Sequence, residues 1–253
     1  MMKIAIFDRD GTLNPLGDDY LSHPDQWQPL PGALQAMAQL NRAGWHTVVA
    51  CNQPGLGGGL LDASTLNAIH AKLLRQLSTQ GGRMDALFFC PHVADDACGC
   101  RLPAPGLLAQ IAERYGVEPR HLYVVASDPA LLHAAAALGC SHLHLVCSGQ
   151  RAHLPPGQAL PPELPPATRL HADLDALVTH LLSAPAPAPL PWSAPQAAGE
   201  HSAAGTGAYT GAPPVPAPAA ADAPTAPAAP AAHHQSLVSF FFFKQKTAYE
   251  MIW

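Results

Sequence analysis

The sequence has 253 residues, of which 48% are apolar and only 12% are charged, and its formal net charge is −5. The charged share is about half of the roughly 25% usual for a globular domain, which indicates that uncharged low-complexity sequence dilutes it. A nucleic-acid partner is disfavoured because there is no run of Lys and Arg, and a membrane span is disfavoured because no apolar stretch reaches the roughly 18 residues that a bilayer helix needs.

Apolar runs alternate with segments of helical period over residues 2–182. The pattern predicts, in chain order, a strand at 3–7, a helix at 32–43, a strand at 47–51, a helix at 62–80, a strand at 86–90, a helix at 105–115, a strand at 122–126, a helix at 130–138, a strand at 142–146 and a closing helix at 173–182. Strands separated by helices form βαβ units, so we predict an α/β fold with a doubly wound parallel sheet covered on both faces. Ligands of such sheets bind at the carboxyl ends of the strands.

Two segments of different composition follow the predicted domain at 1–183. Residues 184–239 are rich in Pro and Ala and have few large apolar side chains, so we predict a disordered tail. Residues 240–253 contain the run Phe-Phe-Phe-Phe-Lys-Gln-Lys-Thr-Ala-Tyr-Glu, which resembles translated read-through of a sequencing adapter. We therefore expect this segment to be non-native and exclude it from fold reasoning. A genuine adhesive tail is the alternative.

The first apolar run ends before Asp8, which is too early for a signal peptide, so we expect a cytoplasmic protein. Thiols stay reduced in that compartment. The six cysteines are therefore interpreted as metal ligands or packed thiols before disulfides. We also expect a monomer.

Two carboxylates follow the first predicted strand directly, in the segment Asp8-Arg9-Asp10-Gly11-Thr12. Carboxylates two residues apart at a strand end point the same general way, and Gly11 allows the backbone to turn tightly. The pair suits phosphoryl transfer: one carboxylate attacks phosphorus, the other handles the proton of the leaving group, and a divalent cation neutralises the charge. The alternative is a turn rich in Asp and Gly that has no catalytic role.

A second candidate site lies after the third predicted strand, where four soft or borderline donors occur in two close pairs. These are Cys90, His92, Cys98 and Cys100. Thiolates and imidazole suit Zn²⁺, and four protein ligands leave no open position for a reacting water, so the metal would be structural. Four buried residues without a metal are the alternative. Other histidines, His70 and His144 among them, are interpreted as surface or half-buried residues rather than catalytic ones.

Over residues 3–182 the chain resembles the haloacid-dehalogenase-like (HAD) phosphatases, and within them the D-glycero-D-manno-heptose 1,7-bisphosphate 7-phosphatases. The resemblance rests on Phe7-Asp8-Arg9-Asp10-Gly11-Thr12-Leu13-Asn14, Asp19-Tyr20, Leu30-Pro31-Gly32, Asn52-Gln53 and the Cys/His loop. It implies a HAD-like Rossmannoid fold with a small zinc-bound loop, and a sugar phosphate of carbohydrate metabolism as the small-molecule partner. Histidinol-phosphate phosphatases share the first motif and the zinc loop, so they stay open as an alternative.

The resemblance also implies a mechanism that depends on Mg²⁺. Asp8 is the expected nucleophile, which forms an aspartyl-phosphate, and Asp10 is the expected acid and base. Mg²⁺ is expected on the Asp8 side chain and the Asp10 backbone carbonyl, with Asp128 as the candidate third ligand, and Zn²⁺ is expected on the Cys/His loop. The expected substrate-binding residues are Thr12, Asp19, Tyr20, Cys51, Asn52, Gln53 and Arg101.

Several positions depart from the family pattern. Cys51 stands where the family has a hydroxyl residue, Leu102 and Ala104 replace two lysines, and Ser127 replaces the metal carboxylate, with Asp128 one residue later. The first lysine binds phosphate in the family, and loss of one such donor typically costs about 10² to 10³ in rate. Two hypotheses therefore stand: a working or weakened phosphatase, and a pseudo-phosphatase that keeps the fold with a phosphate-binding or structural role.

Overall fold

The computed structural model describes residues 2–17, 21–147, 160–183, 241–244 and 249–252. Strands and helices alternate along the chain in this order: β1 (Ile4–Phe7), α1 (Ala33–Arg42), β2 (His46–Asn52), α2 (Pro54–Gly57), α3 (Ala63–Thr79), β3 (Ala86–Cys90), α4 (Gly106–Tyr115), β4 (Leu122–Ala126), α5 (Pro129–Leu138), β5 (His142–Val146), β6 (Arg169–His171), α6 (Leu174–Ser183), β7 (Phe241–Lys244) and β8 (Tyr249–Ile252). Within these ranges, every helix is too short or too polar to cross a bilayer.

The strands form one sheet in the order β6-β5-β4-β1-β2-β3-β8-β7. The first six strands of this order are parallel throughout. The chain builds outward from β1 through β2 to β3, and then returns to the other side of β1 with β4, β5 and β6. The order of the strands thus reverses at β1 and β4, and ligands of doubly wound sheets bind at such a reversal.

Alternate residues of the central strands face two separate apolar cores. Ala5 and Phe7 of β1 belong to the core beneath α1, α3 and α6, whereas Ile4 and Ile6 belong to the core beneath α4 and α5. This alternation follows from the two-residue period of a strand. Both faces of the sheet are therefore covered, as an α/β fold requires.

The predicted α/β class is confirmed, and all ten predicted strands and helices form with each end within one residue of the prediction. The sequence pattern missed β6 and α2. Strand β6 is the three-residue segment Arg169–His171, and none of its residues is fully buried, so it has no apolar run by which to find it. Helix α2 is a single turn that follows the polar end of β2.

Strands β7 and β8 are antiparallel to each other, and β8 pairs antiparallel with β3. This pairing does not bear on the origin of residues 240–253, so their being non-native stays a prediction. The predicted Pro/Ala tail, 184–239, lies outside the described residues.

Candidate active site and metal centre

The two motif carboxylates lie at the reversal of strand order. The backbone N–H of Asp8 donates to the carbonyl oxygen of Val125 at 3.0 Å, which extends the pairing of β1 and β4 by one residue. Asp8 and Asp10 are both partly exposed, and the side chain of Asp10 keeps 19% of its surface accessible. Both acids are therefore open to a ligand that approaches the carboxyl edge of the sheet.

The loop after Asp8 closes into a tight turn. The backbone N–H of Gly11 donates to the carbonyl oxygen of Asn14 at 2.8 Å, and that of Leu13 donates to the carbonyl oxygen of Arg9 at 2.8 Å. Gly11 has a φ of +83°, and a Cβ atom there would lie 2.6 Å from the Oγ atom of Ser127. The turn thus requires glycine both for its backbone conformation and for its close approach to the end of β4.

Asp10 is held by three hydrogen bonds from two neighbours in the motif. The guanidinium of Arg9 donates to both carboxylate oxygens, from Nε to Oδ1 at 3.0 Å and from an Nη to Oδ2 at 2.7 Å. The Nδ2 atom of Asn14 donates to Oδ1 at 3.0 Å. These three hydrogen bonds fix the orientation of the Asp10 carboxylate.

Arg9 itself is fully buried and binds two more side chains, which sequence reasoning did not connect to it. Its guanidinium donates to Oε1 of Gln53 at 2.7 Å and contacts Nε2 of His70 at 2.9 Å. Burial opposes the charge of Arg9, but the acidic groups around it, Asp10 first among them, together outweigh burial, and the pKa of the guanidinium is raised. Burial, followed by the charge of Arg9, lowers the pKa of His70 well below its usual value.

The interpretation of His70 and His144 as surface or half-buried residues was wrong, since their exposed fractions are 0% and 2%. For His70 the sequence contained a signal. It lies four residues after Leu66 and seven before Leu77 on α3, so the helical period places it on the apolar face of the helix.

Asp8 has two acidic neighbours. Although part of Asp8 is accessible to solvent, desolvation by the protein atoms around its carboxyl group, then the charges of Asp10 and Asp128, raise its pKa well above the usual value, and the backbone N–H and the guanidinium of Arg9 oppose this only in part. A cation beside Asp8 would offset the repulsion among the three carboxylates.

The end of β4 presents Ser127 and Asp128 differently. Ser127 is buried and bonded to Thr12: the Ser127 N–H donates to Thr12 Oγ1 at 2.8 Å, and Thr12 Oγ1 donates to Ser127 Oγ at 3.3 Å. Asp128 is exposed, and its Oδ1 accepts from the backbone N–H of Ala130 at 2.8 Å as the N-cap of α5. The hydroxyl of Thr12 therefore has hydrogen-bond partners within the protein. Asp128 caps α5 through a hydrogen bond and also interacts electrostatically with Asp8.

The residues after β2 also have partners within the protein. The side chain of Asn52 bonds both backbone groups of Leu102, donating to its carbonyl oxygen at 3.2 Å and accepting from its N–H at 2.9 Å. Cys51 is buried, and burial raises the pKa of its thiol to about 12, so it stays neutral and is a weak donor. Arg101 donates to the carbonyl oxygen of His92 at 2.9 Å.

Asp19 and Tyr20 lie outside the described residues. Of the other expected substrate-binding residues, the structure gathers Thr12, Cys51, Asn52 and Gln53 around the carboxyl ends of β1 and β2. It places the Arg101 head group at the Cys/His loop. Their roles toward a substrate stay predictions.

The four donors after β3 converge in space. Their ligand atoms, one from each of Cys90, His92, Cys98 and Cys100, all lie within 4.8 Å of one another. The Nδ1 atom of His92 is 3.4 Å from the sulfur of Cys90 and 3.2 Å from that of Cys100. All six cysteines lie in the described part of the chain, and none of them forms a disulfide. In the described part of the chain, this is the only group of three or more His, Cys, Asp or Glu side chains brought together so closely.

The two donor sets suit different metals. Three sulfurs and one imidazole nitrogen in a compact cluster match a closed tetrahedral zinc site. The oxygens of Asp8 and Asp10 are hard ligands of the kind that Mg²⁺ prefers, and the crowding of negative charge at Asp8 fits a divalent cation. The carboxylates of Asp8, Asp10 and Asp128 do not converge as the Cys/His cluster does.

Relatives in curated collections share most of this domain, although no family model matches the chain. The D-glycero-beta-D-manno-heptose-1,7-bisphosphate 7-phosphatase of Bordetella bronchiseptica is 44% identical over 181 residues, which cover 72% of this chain and 98% of that protein. The enzyme of the same name from Pseudomonas aeruginosa is 39% identical over 180 residues, 71% of this chain and 98% of that protein.

The fold matches a solved structure of such an enzyme. The crystal structure of D,D-heptose 1,7-bisphosphate phosphatase from B. bronchiseptica, complexed with magnesium and phosphate, aligns with a TM-score of 0.65 at 44% identity and covers 72% of this chain and 98% of that one. A structure described as a HAD-like phosphatase from Mesorhizobium loti aligns with a TM-score of 0.58 at 28% identity, over 70% of this chain and 85% of that one.

Proposed function

The chain belongs to the D-glycero-beta-D-manno-heptose-1,7-bisphosphate 7-phosphatases of the HAD superfamily, and from this premise we propose that it hydrolyses the 7-phosphate of D-glycero-β-D-manno-heptose 1,7-bisphosphate. The observation that carries the proposal is the arrangement of Asp8 and Asp10. Both acids are open at the carboxyl edge of the sheet, where β1 and β4 reverse the strand order.

In the proposed reaction an oxygen of Asp8 attacks the phosphorus atom and forms an aspartyl-phosphate, while the bond from phosphorus to the sugar oxygen breaks. Asp10 gives its proton to that oxygen, and the dephosphorylated sugar leaves. Asp10 then takes a proton from a water molecule, which attacks the aspartyl-phosphate and releases inorganic phosphate. Arg9 and Asn14 orient Asp10 for both proton transfers.

We assign Mg²⁺ to the side chain of Asp8 and the backbone carbonyl of Asp10, with Asp128 as the third ligand. The metal when bound supplies positive charge that offsets the carboxylates and the incoming phosphate. The charge coupling of Asp128 to Asp8 and the presence of magnesium in the B. bronchiseptica enzyme support this assignment. We assign Zn²⁺ to the Cys/His cluster as a structural ion.

The zinc loop in this proposal supports the active site from one side. The backbone N–H of Gln53 donates to the carbonyl oxygen of Cys90 at 2.7 Å, and that of Gly57 donates to the carbonyl oxygen of Pro91 at 3.0 Å. These hydrogen bonds connect the loop of the proposed zinc ligands to the residues after β2. Loss of zinc is therefore expected to change the conformation of both segments.

One observation favours the second candidate, a pseudo-phosphatase. The two arginines of the site motifs already have partners: Arg9 binds Asp10, and Arg101 binds the carbonyl oxygen of His92. Because both guanidinium groups are held by these partners, we infer that neither takes the place of the lysine that the family has at the position of Leu102. We therefore expect turnover below that of relatives with the lysine.

The direct test is phosphate release from the β-bisphosphate at millimolar Mg²⁺, with the α-anomer and histidinol phosphate as competing substrates. The Asp8→Asn variant is the matched control, because it keeps the shape of the side chain and removes the nucleophile. We expect the β-bisphosphate to react fastest and the variant to release no phosphate. No release from any substrate at high enzyme concentration would favour the pseudo-phosphatase, and faster release from histidinol phosphate would reassign the substrate.

We further propose that the protein acts in the cytoplasm as a monomer, with neither nucleic acid nor membrane as a partner. The six cysteines, none of which forms a disulfide, and the net charge of −5 support this. Cross-linking and gradient sedimentation of the full chain would test the oligomeric state.

A further inference from the structure

We propose that His70 is a positioning residue for Asp10 and acts through the buried guanidinium of Arg9. The inference rests on the proposed function, because positioning matters to the reaction only if Asp10 transfers the proton. His70 belongs to α3, far along the chain from the motif. The contacts run from His70 to Arg9 and from Arg9 to Asp10.

The guanidinium is held on three edges. It contacts Nε2 of His70 at 2.9 Å through one Nη atom. The other Nη atom donates to Asp10 at 2.7 Å and to Gln53 at 2.7 Å, and Nε donates to Asp10 at 3.0 Å. Four of the five N–H groups of the fork thereby have acceptors. The guanidinium group is planar and rigid. The contact of its Nη atom with His70 therefore fixes the orientation of the whole group, including the two N–H groups that bond Asp10.

The chemistry of the pair determines the role of the imidazole. A guanidinium only donates hydrogen bonds, so Nε2 of His70 accepts and the ring proton resides on Nδ1. That Nδ1 atom is buried without a hydrogen-bond partner, as is Nε2 of Gln53. An apolar residue at position 70 would remove the unpaired Nδ1, but it would leave the N–H of the buried Arg9 guanidinium without its acceptor. An unpaired polar atom directly behind a candidate catalytic carboxylate calls for an explanation, and the bond that holds Arg9 supplies one.

The expected consequence concerns the chemical step. Asp10 is partly open to solvent, so the orientation of its carboxylate depends on its hydrogen bonds with Arg9 and Asn14. If the Arg9 plane tilts, the carboxylate no longer faces the leaving oxygen, and a misplacement of about 1 Å can cost about 10² in rate. Because Asp10 acts on the proton in the transition state, kcat should fall while KM stays nearly unchanged.

The experiment compares two variants of the full chain. His70→Leu fills the space but accepts no hydrogen bond, and His70→Gln offers an oxygen that accepts one from Arg9. We expect the Leu variant to lose at least tenfold in kcat with little change in KM, and the Gln variant to recover part of that loss. His144→Leu is the matched control, a buried histidine outside the site that is expected to leave kcat unchanged. His70→Met replaces the Leu variant if the latter does not fold.

A second readout needs no turnover. In protein labelled with ¹⁵N-arginine, the Nε–H signal of Arg9, assigned from the Arg9→Lys variant, should exchange slowly with water in the wild type and faster in His70→Leu. A wild-type kcat in folded His70→Leu, or equal loss in the Leu and Gln variants, would overturn the proposal. Unchanged Nε–H exchange would also overturn it, even if the wild type releases no phosphate and the proposed function fails. With an inactive wild type, faster exchange in His70→Leu would still support the positioning contact.

Discussion

Replacement of His144 by Leu should make the protein less sensitive to acid. His144 is 2% exposed, its Nδ1 lies 2.9 Å from Nε2 of His171, and its own Nε2 is buried without a partner. Burial, and then the nearby His171 and His180, lower the pKa of His144 from 6.5 to about 3. The folded protein therefore keeps this ring neutral at pH values where the unfolded chain protonates it.

The free energy of unfolding should fall as the pH drops below about 6.5, because only the unfolded state then binds the proton. Above that pH the ring is neutral in both states and contributes no pH dependence. With a folded-state pKa of about 3, this single residue accounts for a loss of about 2 kcal/mol between pH 7.5 and pH 5. His171, whose pKa is lowered to about 4 by burial and then by His180 and Arg169, acts in the same direction.

The assay is urea denaturation at a series of pH values, for the wild type and for His144→Leu. The loss of unfolding free energy between pH 7.5 and pH 5 should be smaller in the variant by about 2 kcal/mol. His133→Leu is the control, since it removes an exposed histidine, and it should follow the wild-type curve. Parallel curves for His144→Leu and the wild type would show that burial of this ring does not cause the acid sensitivity.

Three further changes test the site. Leu102→Lys restores a cation where the family has one and should raise the rate of phosphate release by a factor of up to about 10². Ala104→Lys should have a smaller effect. An unchanged rate in Leu102→Lys would refute the role given to that position. Cys98→Ser should lower the bound zinc, measured by mass spectrometry, and the melting temperature together, and an unchanged melting temperature would speak against a structural ion. Gly11→Ala should abolish phosphate release, because it combines a φ of +83° with a Cβ 2.6 Å from a serine oxygen behind the loop. Gly116→Ala has a positive φ but no atom within 4 Å of its added Cβ, so circular dichroism should show similar folds while only the Gly11 variant loses activity.

The helices and strands of the domain could be predicted from sequence because they bury a periodic face. Strand β3, with five buried residues in succession, has the short apolar run of a buried strand, and α3 has apolar residues at helical spacing. Strand β6 could not be predicted in this way. It has three residues of mixed polarity, and only its pairing with β5 makes it a strand.

In the candidate site, too, some residues could be predicted from the sequence and others could not. The acids after β1 and the Cys/His loop could be found because their ligand chemistry is encoded in short segments of the chain. The partners of those groups could not. Arg9, which lies between two acids in the sequence, is fully buried, and two of its acceptors come from the end of β2 and from α3. The side chain of Asn52, an expected substrate-binding residue, bonds the backbone of Leu102, a partner 50 positions along the chain that the local sequence does not indicate.

The sequence by itself determined the order of the elements, the two layers of helices, the acids at the end of β1 and the four donors of the Cys/His cluster. These follow from local periodicity and from the chemistry of neighbouring residues. Only the tertiary structure decided that His70 meets Arg9, that Asn52 bonds Leu102 and that Arg101 turns to the Cys/His loop. Such contacts join residues as much as 61 positions apart, and a side chain with several available partners takes the one that packing and burial bring within hydrogen-bond distance.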